Sequence, residues 1–266
     1  MPPVPRRKRP IPIRKATAEA VHPFDQAHGV ETSGLIPAED LLTGHPNDEH
    51  VTAYYGVAPS ILRSLIDRWL ASRPSHSIEH VTFIDIGAGK GRALLVASEF
   101  PFREVIGIEL NPTLARLAHS NLDRWLDSPT RLAPVTLIEQ DALEFYFPPT
   151  PCLLFLFHPF ESPVLRKLLR RIETQFATRP HTLDLLYVNS EHANILDAHP
   201  AFTRLFFGNV AMSPEDHVAD LAAIAQQTQY GSTGDEECAI YRYIGRHHAP
   251  RRPAFPQADG KSPLGR

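Results

Sequence analysis

Phe83-Ile84-Asp85-Ile86-Gly87-Ala88-Gly89-Lys90-Gly91-Arg92 carries an apolar strand pattern into an acid, a glycine-rich turn and the start of a helix. Glycines let such a turn tighten and let a ligand approach the backbone. In open parallel sheets, ligands gather at the carboxyl ends of the strands, where this turn falls. The spacing excludes two phosphate-binding readings. A dinucleotide fingerprint needs G-x-G-x-x-G, whereas these glycines run G-x-G-x-G and Arg92 takes the next place. A P-loop needs Lys followed by Ser or Thr, and Lys90 is followed by Gly91. Lys90 and Arg92 are expected on the first turn of the helix, facing solvent.

Outward from this turn, strand and helix patterns alternate. Ala58–Ala71 has helical apolar spacing through Ile61, Leu62, Leu65, Ile66, Trp69 and Leu70. Strands are expected at Val81–Ile86, Glu104–Leu110, Val135–Glu139, Cys152–Phe157 and Leu183–Val188. Helices are expected from Lys90 to Phe100, from Asn111 to about Trp125, from Ser162 to about Phe176, and over Glu191–Ala198. Asn111-Pro112 and Ser162-Pro163 each place a capping side chain before a first-turn proline. Phe202–Phe207 and Cys238–Ile244 read as two late strands, separated by a long connection that holds a further helix from Ser213. Such alternation indicates an α/β fold, a largely parallel sheet with helices on both faces.

Two more acids follow the next two strands. Glu109 lies eighteen residues after Gly91, and Asp141 stands in Glu139-Gln140-Asp141-Ala142. A carboxylate at Glu109 can accept from both hydroxyls of a ribose, and one at Asp141 from an adenine amino group. Three acids around a glycine turn suit an adenosine ligand that lacks a pyrophosphate and carries positive charge. S-adenosylmethionine has those properties. Over about residues 58–245 the chain resembles the class I S-adenosylmethionine-dependent methyltransferases, on the strength of Asp85 to Gly91, Glu109 and Asp141-Ala142. The resemblance implies a Rossmann-like sheet of seven strands, mostly parallel with an antiparallel last strand. It implies cofactor contacts from Asp85, Gly87, Ala88, Gly89 and Gly91 at the methionine end, from Glu109 at the ribose, from Asp141 and Ala142 at the adenine, and a further contact from Asn111. The upstream stretch is similar to that of the lysine methyltransferases of the Dot1 type.

After the fourth strand comes His158-Pro159-Phe160. Many amine methyltransferases carry Asn or Asp, two prolines and an aromatic residue here, and the Asn or Asp orients the acceptor nitrogen. This chain keeps Pro159 and Phe160, expected to touch substrate, and has His158 in the orienting position. An imidazole there can accept a hydrogen bond or act as a base, which leaves oxygen and carbon acceptors open beside nitrogen. Asn189, at the end of the fifth strand, is a further substrate-binding candidate. Residues 21–57 read as an N-terminal cap or lid, in which Tyr54 or Tyr55 can close over a sulfonium through cation–π attraction; Tyr55 is the one expected to touch the cofactor.

The remaining features bound the function. At 266 residues, with 42% hydrophobic and 21% charged, the chain is of ordinary globular composition. No apolar run approaches a membrane span, and the basic, proline-rich start has no apolar leader pattern. Cys152 and Cys238, both in strands, are expected as buried thiols. No Cys/His spacing resembles a zinc site, and direct methyl displacement requires no metal. A cytoplasmic location follows from these absences. Residues 1–20 and 246–266 are basic and read as disordered tails, while residues 21–245 hold 16 bases against 28 acids, a net of −12. An acidic body favours a small molecule or a protein over nucleic acid as methyl acceptor. Two other readings stay open: a nicotinamide-dependent oxidoreductase on a similar sheet, and a non-catalytic module that retains the fold.

Overall fold

Phe83, Leu153 and Leu186 face one side of the sheet, while Ile84, Leu154 and Leu185 face the other, and all six are buried. Strands apolar on both faces need cover on both faces, which helices supply. A computed structural model describes residues 21–225 and 231–245; the two tails lie outside the described residues. In chain order the regular elements are α1 (Pro23–His28), α2 (Pro59–Ala71), β1 (Thr82–Ile86), α3 (Arg92–Ala97), β2 (Glu104–Glu109), α4 (Pro112–Trp125), β3 (Val135–Glu139), β4 (Cys152–Phe157), α5 (Ser162–Phe176), β5 (Leu183–Val188), α6 (Ala193–Asp197), β6 (Phe202–Ala211), α7 (Pro214–Ile224) and β7 (Asp235–Tyr243).

The strands form one seven-stranded sheet in the order β3-β2-β1-β4-β5-β7-β6. The pairings from β3 through β5 are parallel, and β7 runs antiparallel to both β5 and β6. The chain leaves β1 toward β2 and β3, then returns to place β4 on the other side. The carboxyl ends of β1 and β4 therefore flank a topological switch point, where open α/β sheets bind ligands. One core cluster joins α2, α3 and α4 to the sheet, and the other joins α5 and α6.

Several boundaries differ from the sequence reading. α3 begins at Arg92 rather than Lys90, because Gly91 takes φ +89° and stands outside the helix as its cap. β6 extends to Ala211 and β7 starts at Asp235, well beyond the expected apolar cores. β6 is an edge strand with mostly exposed residues, so its length left no hydrophobic period to read. Leu70 ends the apolar stripe of α2 on the exposed side, whereas Ile61, Leu62, Leu65, Ile66 and Trp69 are buried. Both cysteines are free and buried. No helix among the described residues is long and apolar enough to cross a membrane.

Candidate active site

The turn after β1 is built by glycine. Gly87 and Gly89 take φ +77° and +56°, a region L side chains rarely adopt. A Cβ at Gly89 would lie 2.3 Å from the Tyr54 ring, and one at Gly87 would lie 2.7 Å from Pro159 Cβ. The turn is thus held between the N-terminal segment and the residue pair that follows β4. The Gly87 and Ala88 amides donate to the Ile108 carbonyl at 2.9 and 3.0 Å, which fixes the turn against β2.

Glu109, at the end of β2, accepts from the Gly89 amide at 2.7 Å and from the Asn111 amide at 2.7 Å. A carboxylate has about four acceptor sites, so two such bonds leave capacity for a ligand. Asn111 caps α4 through its Oδ1, accepting from Thr113 and Leu114 at 2.9 and 3.1 Å, while its Nδ2 donates to the Leu41 carbonyl at 3.0 Å. Asp141 begins the turn after β3 and accepts from the Leu143 amide at 2.8 Å, with His45 Nε2 3.5 Å away.

The electrostatics single out Asp85. It is buried, and burial together with the nearby Glu109 charge pushes its carboxyl up to about 8. Burial also raises Glu109, against the pull of its backbone donors. Among the described residues no hydrogen bond reaches the Asp85 carboxyl group and no cation is set against it. An uncompensated buried carboxylate is costly, and a cationic ligand with donor groups relieves that cost.

Asp85, Gly87, Ala88, Gly89, Glu109, Asn111, Asp141, Ala142, Tyr55, Pro159 and Phe160 all line one cleft, which encloses about 1090 Å³ measured out through its mouth. The sheet ends form its floor, and Leu41, Thr43, Asn47, Asp48 and residues 51–57 form its roof. Gly91 lies outside the cleft and serves as the cap of α3. Tyr54 and Tyr55 both line it. The Tyr54 hydroxyl donates to the Thr32 carbonyl at 2.7 Å, and Tyr55 donates to Asp220 of α7 at 2.5 Å. No described residue of 209–237 lines the cleft. Within that connection α7 packs on the start of α2 and on the N-terminal segment: Asp216 accepts from the Ser60 amide at 2.7 Å and lies 3.5 Å from His22 Nε2.

Two expected residues stand apart. His158 takes φ +37°, which turns its ring away from the cleft toward Tyr187 and His192. Its neighbours Phe157, Pro159 and Phe160 line the cleft, and it does not. Asn189 takes φ +48° and directs its amide to Glu191 at 3.2 Å, also outside.

Lys90 and Arg92 correct the expectation of a solvent-facing pair. Both are buried. Arg92 Nε donates to Thr32 Oγ1 at 2.7 Å and Nη1 to the Gly56 carbonyl at 3.1 Å, with Asp25 3.7 Å from Nη2. Lys90 Nζ donates to the Ser33 carbonyl at 2.6 Å. Asp25 in turn accepts from the Thr32 and Ser33 amides at 2.6 and 2.7 Å and from both hydroxyls. Asn121 of α4 accepts from the Glu31 amide at 2.8 Å and donates back to the Glu31 and Lys90 carbonyls. The N-terminal segment is therefore clamped to the glycine turn by buried polar groups. Sequence reading missed this because the partners across the clamp lie 36 to 90 positions apart. The one local signal was two cations beside a glycine turn and an Asp with Thr and Ser seven and eight residues on.

No protein-family model and no curated protein matches this chain. Among solved structures it is similar to magnesium protoporphyrin IX methyltransferase from Synechocystis, solved with bound S-adenosylmethionine, at 13% identity over 70% of this chain and 79% of that one, with a TM-score of 0.46. It is similar to precorrin-6y C5,15-methyltransferase from Geobacter metallireducens at 15% identity over 67% and 87%, with a TM-score of 0.44. It is also similar to an RNA methyltransferase from Salinibacter ruber, solved with S-adenosylhomocysteine, at 17% identity over 71% and 95%, with a TM-score of 0.41. By its own strand order, its antiparallel β7 and the glycine turn that ends β1, the chain has the Rossmann-like fold of the class I methyltransferases.

Proposed function

We propose that the chain is an S-adenosylmethionine-dependent methyltransferase and that the cleft is its cofactor site. The observation that carries this reading is the pair of buried carboxylates Asp85 and Glu109, set at the ends of adjacent strands and paired with no cation among the described residues. Such a pair suits a ligand that is positively charged and rich in hydroxyl donors, and disfavours a pyrophosphate. Asp85 and the Gly87–Gly89 turn would hold the methionine end, Glu109 the ribose, and Asp141 with Ala142 the adenine. Bound there, the cofactor supplies a methyl group activated by its positive sulfur. Residues 41–57 act as the cap, excluding water and fixing the ligand between roof and sheet.

The acceptor side is Phe157, Pro159, Phe160 and Val164, all on the cleft wall. Orientation of the acceptor falls to this wall and to Thr52 rather than to the His158 ring, which faces away. The acidic body, net −12 over residues 21–245, favours a small molecule or a protein side chain as acceptor. A cytoplasmic location is part of the same proposal, supported by two cysteines that are free and buried.

Calorimetric titration with S-adenosylmethionine, S-adenosylhomocysteine and NADH tests the reading. Binding of the first two at micromolar Kd, lost in Asp85→Ala and Glu109→Ala, is the expected result. Binding of NADH alone would transfer the chain to the oxidoreductases, and binding of none would leave a non-catalytic module.

A further inference from the structure

The turn of His158 away from the cleft places it in a second cluster of chemistry-bearing groups. His158 follows β4, Glu161 precedes α5, and His192 lies between β5 and α6. One ligand atom from each of these three residues lies within 4.8 Å of the other two. His192 Nε2 is 3.2 Å from Glu161 Oε2, and His158 Nε2 is 3.7 Å from Glu191 Oε2. Two ligands on one tetrahedral zinc, each about 2.0–2.1 Å from the metal, stand about 3.3 Å apart. The first of these distances is close to that value, and the second is about 0.4 Å longer.

The surroundings of His158 fit a ligand. Its Nδ1 is 3.1 Å from the buried Tyr187 hydroxyl, which leaves Nε2 as the atom facing Glu191 and His192. Metal-bound histidines are held in this way, with the second ring nitrogen engaged by a fixed neighbour. The His158 ring is nearly buried, whereas the Glu161 and Glu191 side chains are 51% and 59% exposed, so an ion has an open approach from solvent. Two imidazoles with one or two carboxylates suit first-row divalent ions such as zinc or cobalt, and not magnesium or calcium, which take oxygen ligands.

We propose that His158, Glu161 and His192 bind one divalent first-row metal ion, with Glu191 as a fourth ligand, so that the ion ties the β4–α5 loop to the β5–α6 loop. Pro159 and Phe160 lie within the first of these loops and line the cleft, so the ion would brace the acceptor wall from behind. This departs from the expectation of a metal-free chain. The sequence concealed it because His158-x-x-Glu161 and His192 are separated by thirty residues and match no zinc-ligand spacing.

The test uses the full chain, stripped with chelator, and Co²⁺ as a spectroscopic probe displaced by Zn²⁺. One equivalent should bind at a Kd of about 1 µM or tighter, with no displacement by Mg²⁺ or Ca²⁺. His192→Ala and Glu161→Gln should each weaken binding at least about tenfold. Both positions lie on the exposed side of the cluster, and a thermal melt confirms that each variant is folded. Tyr187→Phe should weaken binding about tenfold by freeing the His158 ring. Absence of Co²⁺ and Zn²⁺ binding at about 100 µM would mean that the residues are ordinary His–carboxylate pairs. Binding unchanged by both substitutions would mean that the ion sits elsewhere. Either result overturns the proposal, and neither bears on the cofactor site, because the readout is metal stoichiometry rather than methyl transfer.

Discussion

Asp85 and Glu109 share one low-dielectric corner of the cleft, and the sign of their shifts makes a pH prediction. A carboxyl raised from its ordinary range to about 8 is protonated in the folded chain where the unfolded chain has already ionised. Stability contributed by that proton is full below about pH 4 and is lost as pH rises through 8. Asp85→Asn keeps the shape and removes the titration. It should raise the melting temperature of the ligand-free protein at pH 7.5 by at least about 4 °C, while abolishing S-adenosylmethionine binding; a melt and a titration on one preparation check both. In the wild type, binding of a cationic ligand should draw the Asp85 proton off. Affinity should then rise between pH 6 and 8, with proton release seen as a dependence of the binding heat on buffer. Gly89 is the second residue with a sharp expectation. Gly89→Ala meets the Tyr54 ring and a positive φ together, and should cost about 1–3 kcal/mol of stability in a denaturant titration along with most cofactor affinity.

At the scale of elements, the clamp between the N-terminal segment and the glycine turn decides whether the cleft has a roof. Arg92 and Asp25 are both buried, and breaking such a pair costs more than the pair contributes, because the remaining charge stays buried. Arg92→Met should destabilise the fold by about 3 kcal/mol and expose residues 21–57 to protease; limited proteolysis of the two forms, with and without S-adenosylhomocysteine, measures this. The glycine turn, the three acids and the β1–β5 alternation were legible in the sequence because each rests on local spacing or on a buried strand's apolar run. Arg92 was not legible, because a cation one residue after Gly91 reads as the first turn of a surface helix unless Thr32 and Gly56 are known to lie over it. His158 stands at the end of β4 as expected, with its ring against Tyr187 and His192; a left-handed φ at a histidine has no sequence signature that would give this direction. β6 escaped for the opposite reason: an exposed edge strand has no apolar pattern to extend.

For the whole molecule, the body's net charge of −12 is set against basic residues concentrated at the two ends of the chain. Any association with RNA should therefore fall steeply with salt between about 50 and 200 mM, and should disappear when residues 1–20 and 246–266 are removed; fluorescence anisotropy with a labelled single strand reads both. The sheet order puts Asp85, Glu109 and Asp141 at the ends of three neighbouring strands and on the wall of one cleft, so the proposed cofactor would span β1, β2 and β3, and the proposed acceptor would enter over β4. The most direct measurement is a crystal structure of the chain grown with S-adenosylhomocysteine. The account predicts the ligand in this cleft, with its ribose hydroxyls on Glu109, its amino-acid end beside Asp85 and its adenine at Asp141 and Ala142. A ligand bound outside the cleft, or one lying in it with the ribose away from Glu109, would contradict it.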